Sequence, residues 1–293
     1  MSTTASRTHQ DFDAAYDALL ARWPAGTAEL DVPTPYGTTR VHAHGPAGAP
    51  PLVLLPGGGA TGAVWAGTAA ALGGQHRVLA VDLPGDAGRS ARGGRPLRTG
   101  DDLAAWLDAL LDGLGAGRAD LCGHSYGALL AFGYAERRPQ RVDRLALLDP
   151  TQCFAGFRPG YVLRALPLLL RPTRANALAL LARETEGTAD PDCAEVYGQG
   201  VGLPDLARPL RLRRPDAAAL RGPVLVLVAG RSGAHDARKV AAAARRALPD
   251  GEVAVLEGVT HHGLPVVGGD ALNARLAAFL GRGRDQAAFG ASL

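Results

Sequence analysis

Ala119-Asp-Leu-Cys-Gly-His-Ser-Tyr-Gly-Ala-Leu-Leu130 is the stretch on which the fold turns. Ala119 to Cys122 reads as a short strand buried on both faces. Tyr126 to Arg138 reads as a helix that stops before Pro139. Between them, Gly123-His124-Ser125-Tyr126-Gly127 forms a G-x-S-x-G turn. The two glycines fit a turn too tight for side chains beside Ser125. Such a turn lifts the serine oxygen above the sheet at a helix N-terminus, where the dipole favours negative charge.

Further apolar runs lie on either side: Leu52–Leu55, Val78–Val81, Leu145–Leu148, Val224–Val228 and Val253–Leu256. None alternates with polar residues, as expected of a parallel sheet covered on both faces. Helical stretches separate most of them, among them Asp101–Leu114 and Asp236–Leu248, and a last helix follows at about Asp270–Leu280. Strands alternating with helices imply a mostly parallel, doubly wound α/β sheet. Upstream, Asp11–Trp23 reads as an amphipathic helix, and Glu29–Val32 with Thr38–His44 as an edge hairpin. Pro150–Arg221 breaks the alternation, with helical pieces at Tyr161–Leu170 and Arg174–Glu184. An insertion there emerges over the carboxyl ends of the strands, where ligands bind, and is read as a helical cap. The organisation expected is a core over 1–149, a cap over 150–221, a core over 222–281 and a frayed tail over 282–293.

The chain has 293 residues, 47% hydrophobic and 20% charged, with a formal net charge of +3. Such a composition makes a globular domain and excludes a disordered one. No basic cluster interleaved with aromatics is present, which argues against nucleic acid as a partner. Cys122, Cys153 and Cys193 form no CxxC pair and are odd in number, so reduced thiols are expected rather than disulfides or a metal site. Met1–Gln10 is polar, without the apolar core of a secretory leader. The apolar stretch Ala165–Leu170 is too short to span a bilayer. A cytoplasmic protein with a small-molecule substrate and no membrane partner is the expectation; the sequence carries no signal for oligomeric state.

A serine needs a base to take its proton and donors to hold the oxyanion. The residue after Ser125, Tyr126, offers one backbone N–H. The loop Pro56-Gly57-Gly58-Gly59 offers another, from Gly58 or alternatively Gly59. The loop lacks a G-x-x-x-x-G-K-[ST] pattern, so phosphate binding is not indicated. Gly258-Val-Thr-His-His-Gly263 follows the last strand and holds two candidate bases, His261 and His262.

Four elements together resemble the α/β-hydrolase superfamily: Leu54-Leu-Pro-Gly-Gly-Gly59, Asp82-Leu-Pro-Gly-Asp-Ala-Gly-Arg-Ser90, the Ser125 turn and the late histidines. The resemblance runs from about residue 28 to 281. Within the superfamily, Tyr36-Gly37 and Gly45-Pro46 make the chain similar to bacterial carboxylesterases and their actinobacterial relatives. It implies an α/β-hydrolase fold, the chain order Ser, acid, His, and His261 as base, three residues past Gly258. No metal or organic cofactor is implied. The family commonly has a histidine before the oxyanion glycines; Pro56 stands there. Its acid usually follows the strand Val224–Val228 in a Gly-x-x-Asp pattern, but Gly230-Arg-Ser-Gly233 holds no carboxylate. Asp149, after Leu145–Leu148, and Asp236 remain as alternatives. Phe154, Phe157, Tyr161 and Leu166 of the cap are expected to wall the substrate pocket. The expected reaction is cleavage of a carboxylic ester or lactone of an apolar molecule through an acyl-enzyme. Acyl transfer, amide or C–C cleavage, or ligand binding with little turnover, are the alternatives on the same fold.

Overall fold

In the computed structural model, residues 3–203, 206–207, 209–264, 266 and 269–282 are described. The strands are β1 (Ala28–Thr34), β2 (Gly37–His44), β3 (Pro51–Leu55), β4 (Arg77–Val81), β5 (Ala91–Arg92), β6 (Ala119–His124), β7 (Val142–Leu148), β8 (Val224–Ala229) and β9 (Glu252–Leu256). The helices are α1 (Thr3–Leu20), α2 (Ala66–Leu72), α3 (Gly100–Gly113), α4 (Tyr126–Arg137), α5 (Pro159–Leu170), α6 (Arg174–Glu184), α7 (Pro191–Gly200), α8 (Ala237–Ala247) and α9 (Gly269–Gly281).

One sheet runs in the order β1-β2-β4-β3-β6-β7-β8-β9, with β5 paired to β2. The hairpin β1–β2 joins antiparallel; β3 through β9 pair parallel along this path. The unbroken apolar runs have their cause in two cores, one on each face. Val53, Leu55, Leu121, Leu147 and Val226 pack one way, against Trp106 of α3, Phe132 of α4 and Val240 of α8. Their neighbours Leu52, Leu54, Cys122, Leu148 and Leu227 pack the other way, against Leu72 of α2 and Phe279 of α9. Period-two side-chain alternation thus gives each strand two apolar faces.

From β3 the chain winds out to β4 and later crosses to β6 on the opposite side of β3. The strand order reverses between β3 and β6, and in open α/β sheets the crevice at that reversal is where ligands bind. The Pro56–Gly59 loop leaves β3 there, and Ser125 leaves β6.

Among the described residues, the insertion between β7 and β8 holds the α-helices α5, α6 and α7. Sequence reading located α5 and α6 and missed α7. Its two glycines weaken the helical pattern, but Asp190 caps its first turn, accepting from the Asp192 and Cys193 N–H groups, and Pro191 takes the first helical position. Helix α2, a short Ala-rich piece, was also missed. Helix α1 begins well before Asp11 and bridges the two regions: Phe12, Tyr16 and Leu19 pack on Ala63 and Ala87 of the core and on Val196 of α7. Arg22 then donates to both carboxylate oxygens of Asp190, at 2.9 and 2.8 Å. Among the described residues no helix is long and apolar enough to cross a membrane. Of the expected tail, Arg282 pairs with Glu252; 283–293 lie outside the described residues.

Candidate active site

The turn at Ser125 has a backbone that few residues adopt, with φ 54° and ψ −112°. It is held from below by the Ser125 N–H, which donates to the Leu148 carbonyl at 2.9 Å. The flanking glycines are required by contact. A Cβ on Gly123 would stand 2.3 Å from the Gly127 carbonyl oxygen, and a Cβ on Gly127 2.3 Å from that of Leu55. Both obstacles are backbone, which cannot step aside. Gly127→Ala is therefore expected to cost more than about 4 kcal/mol of folding stability, measured by urea unfolding. Loss of less than about 1 kcal/mol would mean that this turn is looser than its geometry says.

Ser125 Oγ lies 2.9 Å from His261 Nε2, and His261 Nδ1 lies 2.5 Å from Asp149 Oδ2. Asp149 directly follows β7, at φ 40°. A buried carboxylate only accepts, so His261 donates from Nδ1 and presents the Nε2 lone pair to the serine hydroxyl. Asp149 takes three further donors: the Ala229 N–H at 2.9 Å, Ser232 Oγ at 2.9 Å and His235 Nε2 at 2.7 Å. Burial alone would raise its pKa, but hydrogen bonds from His235 and His261 outweigh it and hold the carboxyl well below the ordinary range. Ser232 and His235 were not singled out from the sequence. Their signal was position, in the turn after β8 where the resemblance drawn from the sequence places the acid.

Two neighbouring histidines, His124 buried and His262 half-buried, are neutral. His124 Nε2 donates to the His261 carbonyl at 3.0 Å. Burial, reinforced by the nearby His261, pushes its pKa down to about 3. His262 stands edge-on to His261 with ring centroids 4.9 Å apart, and burial lowers its pKa well below the usual value. In the unfolded chain both take up protons below a pH of about 6.5. Stability is therefore complete above that pH and is lost as pH falls toward 3, because the unfolded state then binds more protons. The thermal midpoint should drop steadily from pH 7 to pH 4, and His124→Asn should flatten that slope. An unchanged slope in the variant would assign the effect elsewhere.

Gly58 faces Tyr126: a Cβ on Gly58 would lie 3.7 Å from the Tyr126 Cβ. The Gly59 N–H instead donates to Asp86 at 3.0 Å, so this alternative donor is already committed to a carboxylate. Asp86 also accepts from the Ala87 N–H at 2.8 Å, and burial raises its pKa.

The alpha/beta hydrolase fold family matches residues 50–196. This chain belongs to that family. Carboxylesterase YbfK of Bacillus subtilis is 36% identical to this hydrolase over 148 residues, 50% of each sequence. The hydrolase thus spans half the length of that relative in sequence. The crystal structure of the same B. subtilis enzyme superposes with a TM-score of 0.87 at 26% identity, over 94% of this chain and 99% of that one. The structure of naproxen esterase (carboxylesterase NP) from B. subtilis superposes with a TM-score of 0.86 at 25% identity, over 96% and 99%.

Three expectations about the hydrolase need correction. Asp236 does not reach His261: it caps α8, accepting from the Lys239 N–H at 3.1 Å, with Arg158 at 3.8 Å. His262 stands beside the serine's partner rather than on the serine, and its ring approaches Tyr197 at 6.2 Å. The cap aromatics do not wall the cavity at Ser125. That cavity, of about 70 Å³, is lined by Val64, Leu181, Val196, Tyr197, His262 and Leu264 around Gly58, Ser125 and His261. Phe154 packs into the core on Phe132, and Phe157 stacks on Tyr161 at 5.2 Å. Leu166 faces solvent. The insertion between β7 and β8 places Leu181 of α6 and Val196 and Tyr197 of α7 on the cavity at Ser125, where residues of α5 had been expected. A larger cavity of about 420 Å³ lies on the other side of Tyr126 and does not reach Ser125.

Asp149, His235 and His261 also bring three metal-type donors together. Their separations of 2.7 and 2.5 Å are hydrogen-bond lengths. Two ligands on a tetrahedral zinc at about 2.1 Å would stand about 3.4 Å apart. Protons fit between these groups and a metal does not.

Proposed function

We propose that this hydrolase cleaves a carboxylic ester or lactone of an apolar small molecule through an acyl-enzyme on Ser125. It is a hydrolase acting on ester bonds. The observation that carries the reading is the continuous hydrogen-bonded chain from Ser125 Oγ through His261 to Asp149.

Ser125 Oγ attacks the carbonyl carbon as His261 Nε2 takes its proton. The carbonyl oxygen becomes an oxyanion and is held by the Gly58 and Tyr126 N–H groups, at the positive end of α4. Collapse breaks the bond to the alcohol oxygen, which receives the proton from His261. Water then attacks the acyl-serine, again deprotonated by His261, and the acid leaves as Ser125 recovers its proton. Asp149 fixes the tautomer of His261 and stabilises the imidazolium in both halves. Val64, Leu181, Val196 and Leu264 give the cavity apolar walls for one side of the ester.

The test is fluorophosphonate labelling with turnover of p-nitrophenyl esters from acetate to decanoate. Labelling at Ser125 is expected. The small cavity should favour acetate or butyrate over decanoate by at least about tenfold in kcat/KM, each excess methylene lacking a site in which to be buried. Absence of both labelling and turnover would transfer support to a ligand-binding role.

A further inference from the structure

Helix α5 carries two apolar faces. The inner one is Tyr161, Ala165 and Leu168, of which only Ala165 is fully buried. The outer one is open to solvent: Val162 is 46% exposed, Leu163 70%, Leu166 42%, Leu169 69% and Leu170 71%. At 3.6 residues per turn these five side chains fall within about 120° of arc, a continuous stripe. Single exposed leucines are ordinary, but four leucines and a valine on one stripe mark an interaction surface.

The charge around the stripe selects its occupant. Residues 150–183 contain Arg158, Arg164, Arg171, Arg174 and Arg183 and no aspartate or glutamate. Arg164 pairs with Glu184 and Arg174 with Glu195, while Arg158 stands 3.8 Å from Asp236 with half of its side chain still exposed. Arg158 and Arg171 bracket α5 at its two ends, both exposed. Among the described residues Arg171 and Arg183 have no carboxylate partner. A second copy of the chain seated by twofold symmetry would bring this all-cationic segment against itself. A bilayer bearing anionic headgroups meets both features: apolar side chains enter the acyl boundary while flanking arginines meet phosphates.

We propose that α5 docks this hydrolase on the surface of an anionic membrane, through Val162, Leu163, Leu166, Leu169 and Leu170, with Arg158 and Arg171 on headgroup phosphates. No spanning helix is needed, since such a helix lies in the plane of the interface. The expectation of no membrane partner came from the absence of a spanning segment and did not address this mode. Helix α5 packs on α6, whose Leu181 lines the cavity at Ser125. Docking therefore brings the cap side of the active site next to the bilayer.

The test is co-sedimentation of the full chain with vesicles of equal parts phosphatidylcholine and phosphatidylglycerol. The wild type is expected to pellet, less so with added salt and with phosphatidylcholine alone. The triple variant Leu163→Gln/Leu169→Gln/Leu170→Gln should bind at least about tenfold more weakly, because its buried apolar area is gone. Its thermal midpoint and turnover of a soluble ester should be unchanged, which separates docking from folding and from chemistry. Arg158→Gln/Arg171→Gln should bind weakly with a flatter salt dependence. The proposal is overturned if the wild type stays in the supernatant, or if the triple variant pellets equally. It also falls if the wild type is a dimer by light scattering and the triple variant a monomer, since a second copy then covers the stripe.

Discussion

Ser125→Ala is expected to lower kcat on p-nitrophenyl butyrate by about 10⁵-fold or more while leaving the fold in place. The hydroxyl is the only atom removed. Ser125 is already nearly buried, in a turn held by the Leu148 carbonyl and by the close approach of Gly123 to Gly127. Alanine accepts the same backbone at similar cost, so the urea midpoint should scarcely move. What disappears is the hydroxyl that lies 2.9 Å from His261 Nε2 and that the proposed mechanism uses as nucleophile. The proposed oxyanion donors, Gly58 and Tyr126, would remain to polarise a bound ester, so a residual rate about 10³-fold above water is consistent. Fluorophosphonate labelling should vanish with turnover. Retention of more than about a hundredth of the wild-type rate would rule out an acyl-enzyme on Ser125.

Asp149→Asn is expected to reduce kcat by about 10³- to 10⁴-fold, whereas Asp236→Asn should stay within about twofold of wild type. The contrast follows from what each carboxylate accepts. Asp149 takes donors from Ala229, Ser232, His235 and His261, all buried. An amide at that position offers one accepting oxygen and an NH₂ group. It turns a donor toward a donor and leaves His261 without the partner that fixes its Nδ1 proton. The imidazolium formed as Ser125 loses its proton then has no buried counter-charge. Asp149→Asn should lose stability as well, since a buried donor left without an acceptor costs about 1–3 kcal/mol. Asp236 is half-buried at the start of α8, and asparagine caps a helix equally well. Equal, full activity in both variants would break the assignment of Asp149 as the acid.

The elbow was legible because its requirements are local. Gly123 and Gly127 are dictated by steric contact within the turn and with the strand beside it, and the apolar run before Ser125 needs no distant partner to be read as a buried strand. The parallel sheet was legible because every core strand is covered on both sides. The insertion after β7 was legible as a break in that rhythm. The walls of the cavity were not. Aromatic residues of the cap were assigned to them by composition, yet composition does not tell a face turned to Phe132 from one turned to Ser125. Helix α7, with Val196 and Tyr197 on the cavity, was hidden by its glycines.

What the sequence by itself determined is chemical identity at short range: a serine on a strand-to-helix turn, a glycine loop after a preceding strand, histidines after the last one, and the period that makes the sheet. What only the tertiary structure decided is which groups meet. Asp149 and His261 are separated by 112 positions. They meet because β7 pairs with β8 and β8 with β9, bringing the ends of these strands side by side. The same pairing brings Ser232 and His235 to Asp149, and the packing of α5 turns five apolar side chains outward. Hydrogen bonds and buried faces are set by direction and distance between elements, and those exist only once the strands have found their order.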